Sequence, residues 1–150
     1  MRTLLQRVTG ASVTVQGKVQ NSIGKGLLIF LGVEPEDTEE DANWLSSKIA
    51  KMRLFPDSKG VMNDSIMDVE GEFLVISQFT LHASIKKGNR PSYYKASRPS
   101  HAKPMYEHFM EQLWMDSGSV VKSGTFGADM KVELVNDGPI TIWMDSKNRE

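Results

Sequence analysis

Apolar and polar positions alternate loosely over residues 1–8, and the alternation resumes in Ser12-Val13-Thr14-Val15 before Gly17-Lys18-Val19. A period of two marks strands, and the glycine between the short runs predicts a hairpin. Gly26-Leu27-Leu28-Ile29-Phe30-Leu31-Gly32-Val33 carries no polar side chain. A short run of this kind predicts a strand buried on both faces. Residues 34–41 then hold six acids, and Leu45, Ile49 and Met52 follow at helical spacing, with Lys48, Lys51 and Arg53 at the far end. Six acids in a row of eight also suit a metal. The better reading is a helix start, with Asp37 or Thr38 as the cap, because acids favour the positive end of a helix dipole and bases the other.

Phe55-Pro56-Asp57-Ser58-Lys59-Gly60 is turn chemistry, and Asn63-Asp64 extends that loop. Residues 73–81 predict a second buried strand, whose end carries the polar Ser77, Gln78 and Thr80. A second helix is predicted over 100–116, with Pro104 in its first turn, Met105, Phe109 and Leu113 on one face, and Gly118 just past its end. Val120-Val121 opens the last third, which runs through the glycine-bearing 123–127 to a strand at 131–135. Asn136-Asp137-Gly138-Pro139 separates that strand from another at 140–144. No repeat, linker or low-complexity tract intervenes. Residues 1–150 therefore read as a single mixed α/β domain, layered β-sheets packed with two main helices.

Composition narrows the chemistry. The chain is 39% hydrophobic and 25% charged, within the range of ordinary globular domains. It has no cysteine, which excludes disulfides, thiolate zinc sites and a cysteine nucleophile. The longest apolar run, 27–31, is far short of the ~20 residues that span a bilayer. Arg7 breaks the apolar character of the first residues too early for a secretion signal. A soluble, cytoplasmic chain with no membrane partner is expected.

The net charge of −1 conceals an uneven distribution. From Phe73 to Tyr106 there is no acid, while Lys86, Lys87, Arg90, Lys95, Arg98 and Lys103 are all basic. With Tyr93 and Tyr94 interleaved, the stretch suits a nucleic acid: cations neutralise phosphates and aromatic faces stack bases. The plainer reading is a solvated loop. Among other constellations, His82, His101 and His108 lack the i,i+4 spacing of ligands on one helical face. The elbow G-x-S-x-G of serine hydrolases is absent, and Gly24-Lys25-Gly26 is too short for a phosphate loop. Two segments remain. The polar residues of Ser77-Gln78-Phe79-Thr80 either complete internal bonds or meet a ligand. In Asn136-Asp137-Gly138-Pro139 the Asp-Gly pair by itself reads as a hairpin turn, to which Pro139 adds rigidity.

Taken together, these motifs are recognisable. Over nearly its full length the chain resembles the D-aminoacyl-tRNA deacylase family. Ser77-Gln78-Phe79-Thr80-Leu81 matches its SQFTL motif, and Asn136-Asp137-Gly138-Pro139-Ile140-Thr141 matches its NxGPxT motif. Arg7-Val8, Lys87-Gly88-Asn89-Arg90-Pro91-Ser92 and Phe126-Gly127-Ala128-Asp129-Met130 support the match, and Ser123 stands where the family commonly has threonine.

The resemblance implies a mixed α/β fold of the D-aminoacyl-tRNA deacylase type. It implies a homodimeric cytoplasmic hydrolase that cleaves the ester between a D-amino acid and the 3′ end of tRNA, without metal or cofactor. It implies a cis Gly138-Pro139 peptide that enters the partner subunit's pocket as a chirality filter, with Arg7 bracing the loop and Asn136 and Thr141 completing the substrate-binding motif. A rigid wall of backbone atoms rejects an L side chain by clash, yet tolerates many D side chains. Achiral glycine passes too, so glycyl-tRNA joins the expected substrates. An aminoacyl ester is already activated, so orienting a water and holding an oxyanion suffice. The main chain of Phe79 and Thr80 is assigned that role, with the Thr80 hydroxyl as nucleophile the open alternative. Ser77 and Gln78 anchor the strand end and the terminal adenosine, and Lys86, Lys87 and Arg90 bind tRNA. A non-catalytic RNA-binding module and a small-molecule esterase are the rival classes.

Overall fold

The computed structural model describes residues 1–149. Its longest shared element is strand β1 (Arg2–Val15), both edges of which are used. Along one edge it pairs first with β3 (Gly26–Gly32) and then, beyond a bend at Val8–Gly10, with β2 (Lys18–Ile23). The turn between β1 and β2 is the predicted hairpin, with positive φ at both Gln16 and Gly17. Helix α1 (Glu39–Lys51) follows, then a two-stranded ribbon, β4 (Phe55–Pro56) with β5 (Met62–Asp64). This ribbon corrects the reading of the segment as loop alone. Next come β6 (Glu72–Ser77), α2 (Pro99–Ser117), β7 (Val121–Ser123) and β8 (Met130–Asp145).

β3, β6 and β7 run parallel to one another, and β8 lies antiparallel on the free edge of β1. The six-stranded sheet curls until β2 approaches β7. There Asn21 Nδ2 donates to the Ser123 carbonyl at 2.6 Å and Lys122 Nζ to the Ser22 carbonyl at 2.8 Å. Two apolar clusters result. One joins Leu27, Ile29, Phe73 and Val75 to Leu45 and Ile49 of α1 and Phe109 and Leu113 of α2. The other fills the curl with Val8, Val13, Leu28, Leu74 and Ile76. Alternate residues of β3 and β6 serve opposite clusters, which is why Leu27–Leu31 and Phe73–Ile76 are apolar without interruption. Each fully buried Leu or Phe contributes about 1.5–3 kcal/mol. Among the described residues no helix is long and apolar enough to cross a membrane.

The acidic stretch is used as a helix start. Thr38 caps α1, and its N–H donates to the Asp41 carboxylate at 2.9 Å. Burial alone would raise the Asp41 carboxyl, but the Lys147 ammonium at 2.8 Å and the Thr38 N–H outweigh it and hold the group far below the usual carboxylate range. Asp37 is also buried, where it receives the Met1 ammonium and the Glu34 N–H.

Three further details differ from what the sequence predicts. α2 begins at Pro99, so Pro104 lies in its second turn; the fixed φ of Pro99 opens the helix earlier. Gly118 ends it in the left-handed conformation, φ 66°, as expected. β6 stops at Ser77, and residues 79–82 form a 3-10 turn instead of continuing the strand. Finally, β8 is one strand of 16 residues, not two strands joined by a hairpin. Its register against β1 jumps from Val8↔Asn136 to Gln6↔Thr141, so residues 137–140 bulge out opposite Arg7 alone.

Candidate active site

The parallel strands β3 and β6 end side by side, and a cavity of about 570 Å³ opens beyond their carboxyl ends. That is where open α/β sheets present ligands, and the volume falls in the range of small-molecule sites. Ser77, Gln78 and Phe79 line it together with Tyr93, and Phe126, Ala128 and Met130 line it from the segment before β8 and its first residue. Leu31 and Ile76 make the floor apolar. Tyr106 of α2 supports two sides at once: its hydroxyl donates to the Val75 carbonyl at 2.7 Å, and its ring lies 5.7 Å from that of Phe126.

The corner after β6 depends on a close approach. The Gln78 N–H extends the parallel ladder by donating to the Leu31 carbonyl at 2.8 Å. A Cβ on Gly32 would lie 2.9 Å from the Gln78 carbonyl oxygen and 3.0 Å from the His82 ring, so only glycine lets the corner pack so tightly. The N–H groups of Phe79 and Thr80 head the 3-10 turn, where helix-type turns leave donors without an internal acceptor. Thr80 Oγ1 accepts from Gln78 Nε2 at 2.6 Å, and among the described residues no histidine or lysine bonds to it. Phe79 is half exposed, with its ring edge-on to Tyr93 at 5.0 Å.

His82 closes the turn from beneath and is fully buried. Burial, with the nearby Arg2 charge, pushes its imidazole below the ordinary value of 6.5, so it is neutral in the folded protein. The unfolded chain takes up that proton more readily. Stability is therefore full above pH 6.5 and falls as the pH drops below it toward the folded-state value. His82→Leu removes this titration, and its unfolding free energy between pH 7 and 5 should decline less than that of the wild type. Parallel denaturation curves for the two proteins across that range would refute the assignment.

The second motif lies elsewhere. Asn136 closes the neck of the β8 bulge, donating from Nδ2 to the carbonyls of Arg7 at 3.0 Å and Ile140 at 2.9 Å. Thr141 Oγ1 accepts from Gln6 Nε2 at 3.2 Å. Arg7 runs beneath the bulge, its Nη1 donating to the Leu54 carbonyl at 2.6 Å and its Nε 3.0 Å from the Asp137 carboxylate. Gly138 and Pro139 are exposed at the crest, and the peptide between them is cis. The structure thus brings Ser77, Gln78, Phe79 and Thr80 together at the cavity and gathers Arg7, Asn136, Gly138, Pro139 and Thr141 at the bulge. It does not bring the two groups together within one chain, for no residue of 136–141 lines the cavity.

Lys86, Lys87 and Arg90 lie in the exposed segment between the 3-10 turn and α2, and among the described residues none of them makes an ion pair. The two bonds between Ser84 and Ser92 close the base of this loop at 2.8 and 2.9 Å. Sequence reasoning gives no role to the wall formed by residues 126–130. The only signal there is the supporting family match, because an apolar lining of a cavity has the same composition as an apolar core.

Similarity to known proteins extends over nearly the whole chain. The family model described as D-Tyr-tRNA(Tyr) deacylase matches residues 4–145. A protein of Parabacteroides distasonis named D-aminoacyl-tRNA deacylase is 57% identical over 150 residues, covering all of both chains. One of the same name from Flavobacterium johnsoniae is 59% identical, again covering all of both. Among solved structures, the c-Myc DNA unwinding element binding protein superposes with a TM-score of 0.91 at 40% identity, over 97% of this chain and 98% of its own. A probable eukaryotic D-amino acid tRNA deacylase superposes with a TM-score of 0.81 at 16% identity, over 95% of this chain and 97% of its own, a likeness of fold.

Proposed function

The chain belongs to the D-Tyr-tRNA(Tyr) deacylase family and is a hydrolase of D-aminoacyl-tRNA, and from that premise we propose that it works as a homodimer in which each cavity is completed by the partner's Gly138-Pro139 bulge. The observation that carries this reading is the separation of the two motifs. None of residues 136–141 lines the cavity that holds the backbone donors, and the bulge, braced by Arg7, stands apart from it. Two copies related by a twofold axis exchange the missing parts reciprocally.

In this arrangement the aminoacylated end of tRNA enters the cavity, with the terminal nucleoside against Phe126 and Ala128 and the ester at the Ser77–Thr80 corner. Water attacks the ester carbonyl, and the carbonyl oxygen gains negative charge. The N–H groups of Phe79 and Thr80 stabilise that charge, and fixed donors aimed at a developing oxyanion contribute more to such a reaction than any other single effect. Collapse of the tetrahedral intermediate expels the ribose oxygen, which takes up a proton. Gln78 holds the Thr80 oxygen, so the hydroxyl acts as a fixed polar group and not as an activated nucleophile, which would need a base beside it. The bulge occupies the space of an L side chain, while D residues and glycine fit. Lys86, Lys87 and Arg90 meet the tRNA backbone, and the cytoplasm is where that substrate is found.

The test is incubation of the purified protein with D-tyrosyl-, L-tyrosyl- and glycyl-tRNA, following the free amino acid. The D and glycyl esters should be consumed while the L ester is spared. Equal loss of D and L esters removes the filter and leaves the hydrolase. Binding of tRNA without release of amino acid supports the RNA-binding module instead.

A further inference from the structure

Tyr94 is the most exposed large aromatic side chain, at 71%, and it sits on a stretch of backbone that is fixed at both ends. Residues 93–96 form a tight turn closed by the Ala96 N–H on the Tyr93 carbonyl at 2.9 Å. Both ends of that turn, Tyr93 and Ala96, line the cavity, and Tyr94 and Lys95 form its tip. The turn is pinned on either side: the Ser84–Ser92 bridge precedes it, and the Ser97 N–H donates to the Val33 carbonyl at 2.9 Å after it. Tyr93 is held edge-on to Phe79, whereas the Tyr94 ring has no aromatic partner among the described residues. Lys95 and Arg98 flank it without ion pairs among the described residues, and Lys86, Lys87 and Arg90 extend the same charge.

We propose that Tyr94 is a stacking platform for the unpaired nucleotide that precedes the terminal nucleoside of the substrate RNA, with Lys95 on the phosphate between them. The inference rests on the deacylase reading, which puts the terminal nucleoside in the cavity. The strand must then leave past the residues that border the cavity, and this ring and this cation lie between the lining residues Tyr93 and Ala96. An exposed aromatic face beside a cation is the combination that binds single-stranded nucleic acid without regard to sequence, because every base has a stacking face. Tyr94 is therefore a binding residue and not a catalytic one.

The experiment compares D-tyrosyl-tRNA with the D-tyrosyl ester of adenosine alone, using the wild type, Tyr94→Leu and Tyr94→Phe. Tyr94→Leu should raise KM for the tRNA ester about 10-fold, with kcat nearly unchanged. It should leave KM for the adenosine ester as it was, because that substrate has no second nucleotide. Tyr94→Phe keeps the ring and should match the wild type on both. A KM for tRNA that Tyr94→Leu does not move overturns the site, as does an equal rise on both esters or a failure of phenylalanine to restore binding. A wild type that hydrolyses neither ester removes the deacylase reading itself, and the stacking site with it.

Discussion

Arg7→Leu is expected to lower kcat/KM for D-tyrosyl-tRNA by about 100-fold, the size of loss that a displacement near 1 Å produces in a positioned reaction. The guanidinium links three pieces of chain. From β1 it bonds to the Leu54 carbonyl after α1 and meets the Asp137 carboxylate at the bulge, where a Cβ on Gly138 would lie 3.2 Å from its Nη2. Leucine fills much of the same volume but leaves the Leu54 carbonyl without its donor, at a cost of about 1–3 kcal/mol for a buried acceptor. Asp137 is 43% exposed, so its loss of a partner adds little. A domain stable by about 5–15 kcal/mol survives that, and the thermal transition should stay cooperative. Arg7→Lys separates charge from geometry, since one ammonium cannot span both partners as the planar fork does. It should keep the fold and still lose most activity. Wild-type turnover by either variant would mean that the bulge needs no brace or takes no part in the reaction.

What the sequence reveals of this molecule divides along the range of the interactions. α2 is legible to within a residue at each end because its signals are local, an apolar face at helical spacing and Gly118 in a left-handed cap, although the proline that opens it is Pro99 and not Pro104. α1 is legible from the placement of its charges, and β3 from its unbroken apolar run between two layers. The errors arise where a distant segment decides. Phe79 and Leu81 extend the apolar character of β6, and nothing nearby shows that the ladder stops at Ser77, where the close approach of Gly32 accompanies the turn of the chain. The Asp137-Gly138 pair carries hairpin chemistry. It becomes a bulge because β1, more than a hundred residues earlier in the chain, runs on beside both halves of β8. The two motif segments stand out by their own chemistry, but the roles of their residues are legible only through family resemblance. Their spacing gives no sign that they fall into two separate places.

Gly138→Ala tests the other half of that arrangement and should abolish measurable D-specific turnover, again by about 100-fold or more. Gly138 has φ 124°, a conformation that L side chains rarely adopt. A Cβ there would also stand 2.8 Å from the Ile140 side chain, 3.1 Å from the Ile140 nitrogen and 3.2 Å from the Arg7 guanidinium. The crest must shift, and it shifts against its own brace, while no residue lining the cavity is met. The fold should hold. The decisive measurement pairs this variant with a second inactive one, Ala128→Trp, which fills the cavity and leaves the bulge intact. If each cavity is completed by the partner's bulge, a mixed dimer contains one site made of an intact cavity and an intact bulge. Unfolding and refolding the two inactive proteins together should then restore about a quarter of wild-type activity, the share of intact sites when subunits pair at random. A bulge that serves the cavity of its own chain predicts none, because every chain in the mixture carries one defect. Recovery locates the filter across the interface, and its absence would place the Gly138-Pro139 bulge and the ester in the same subunit.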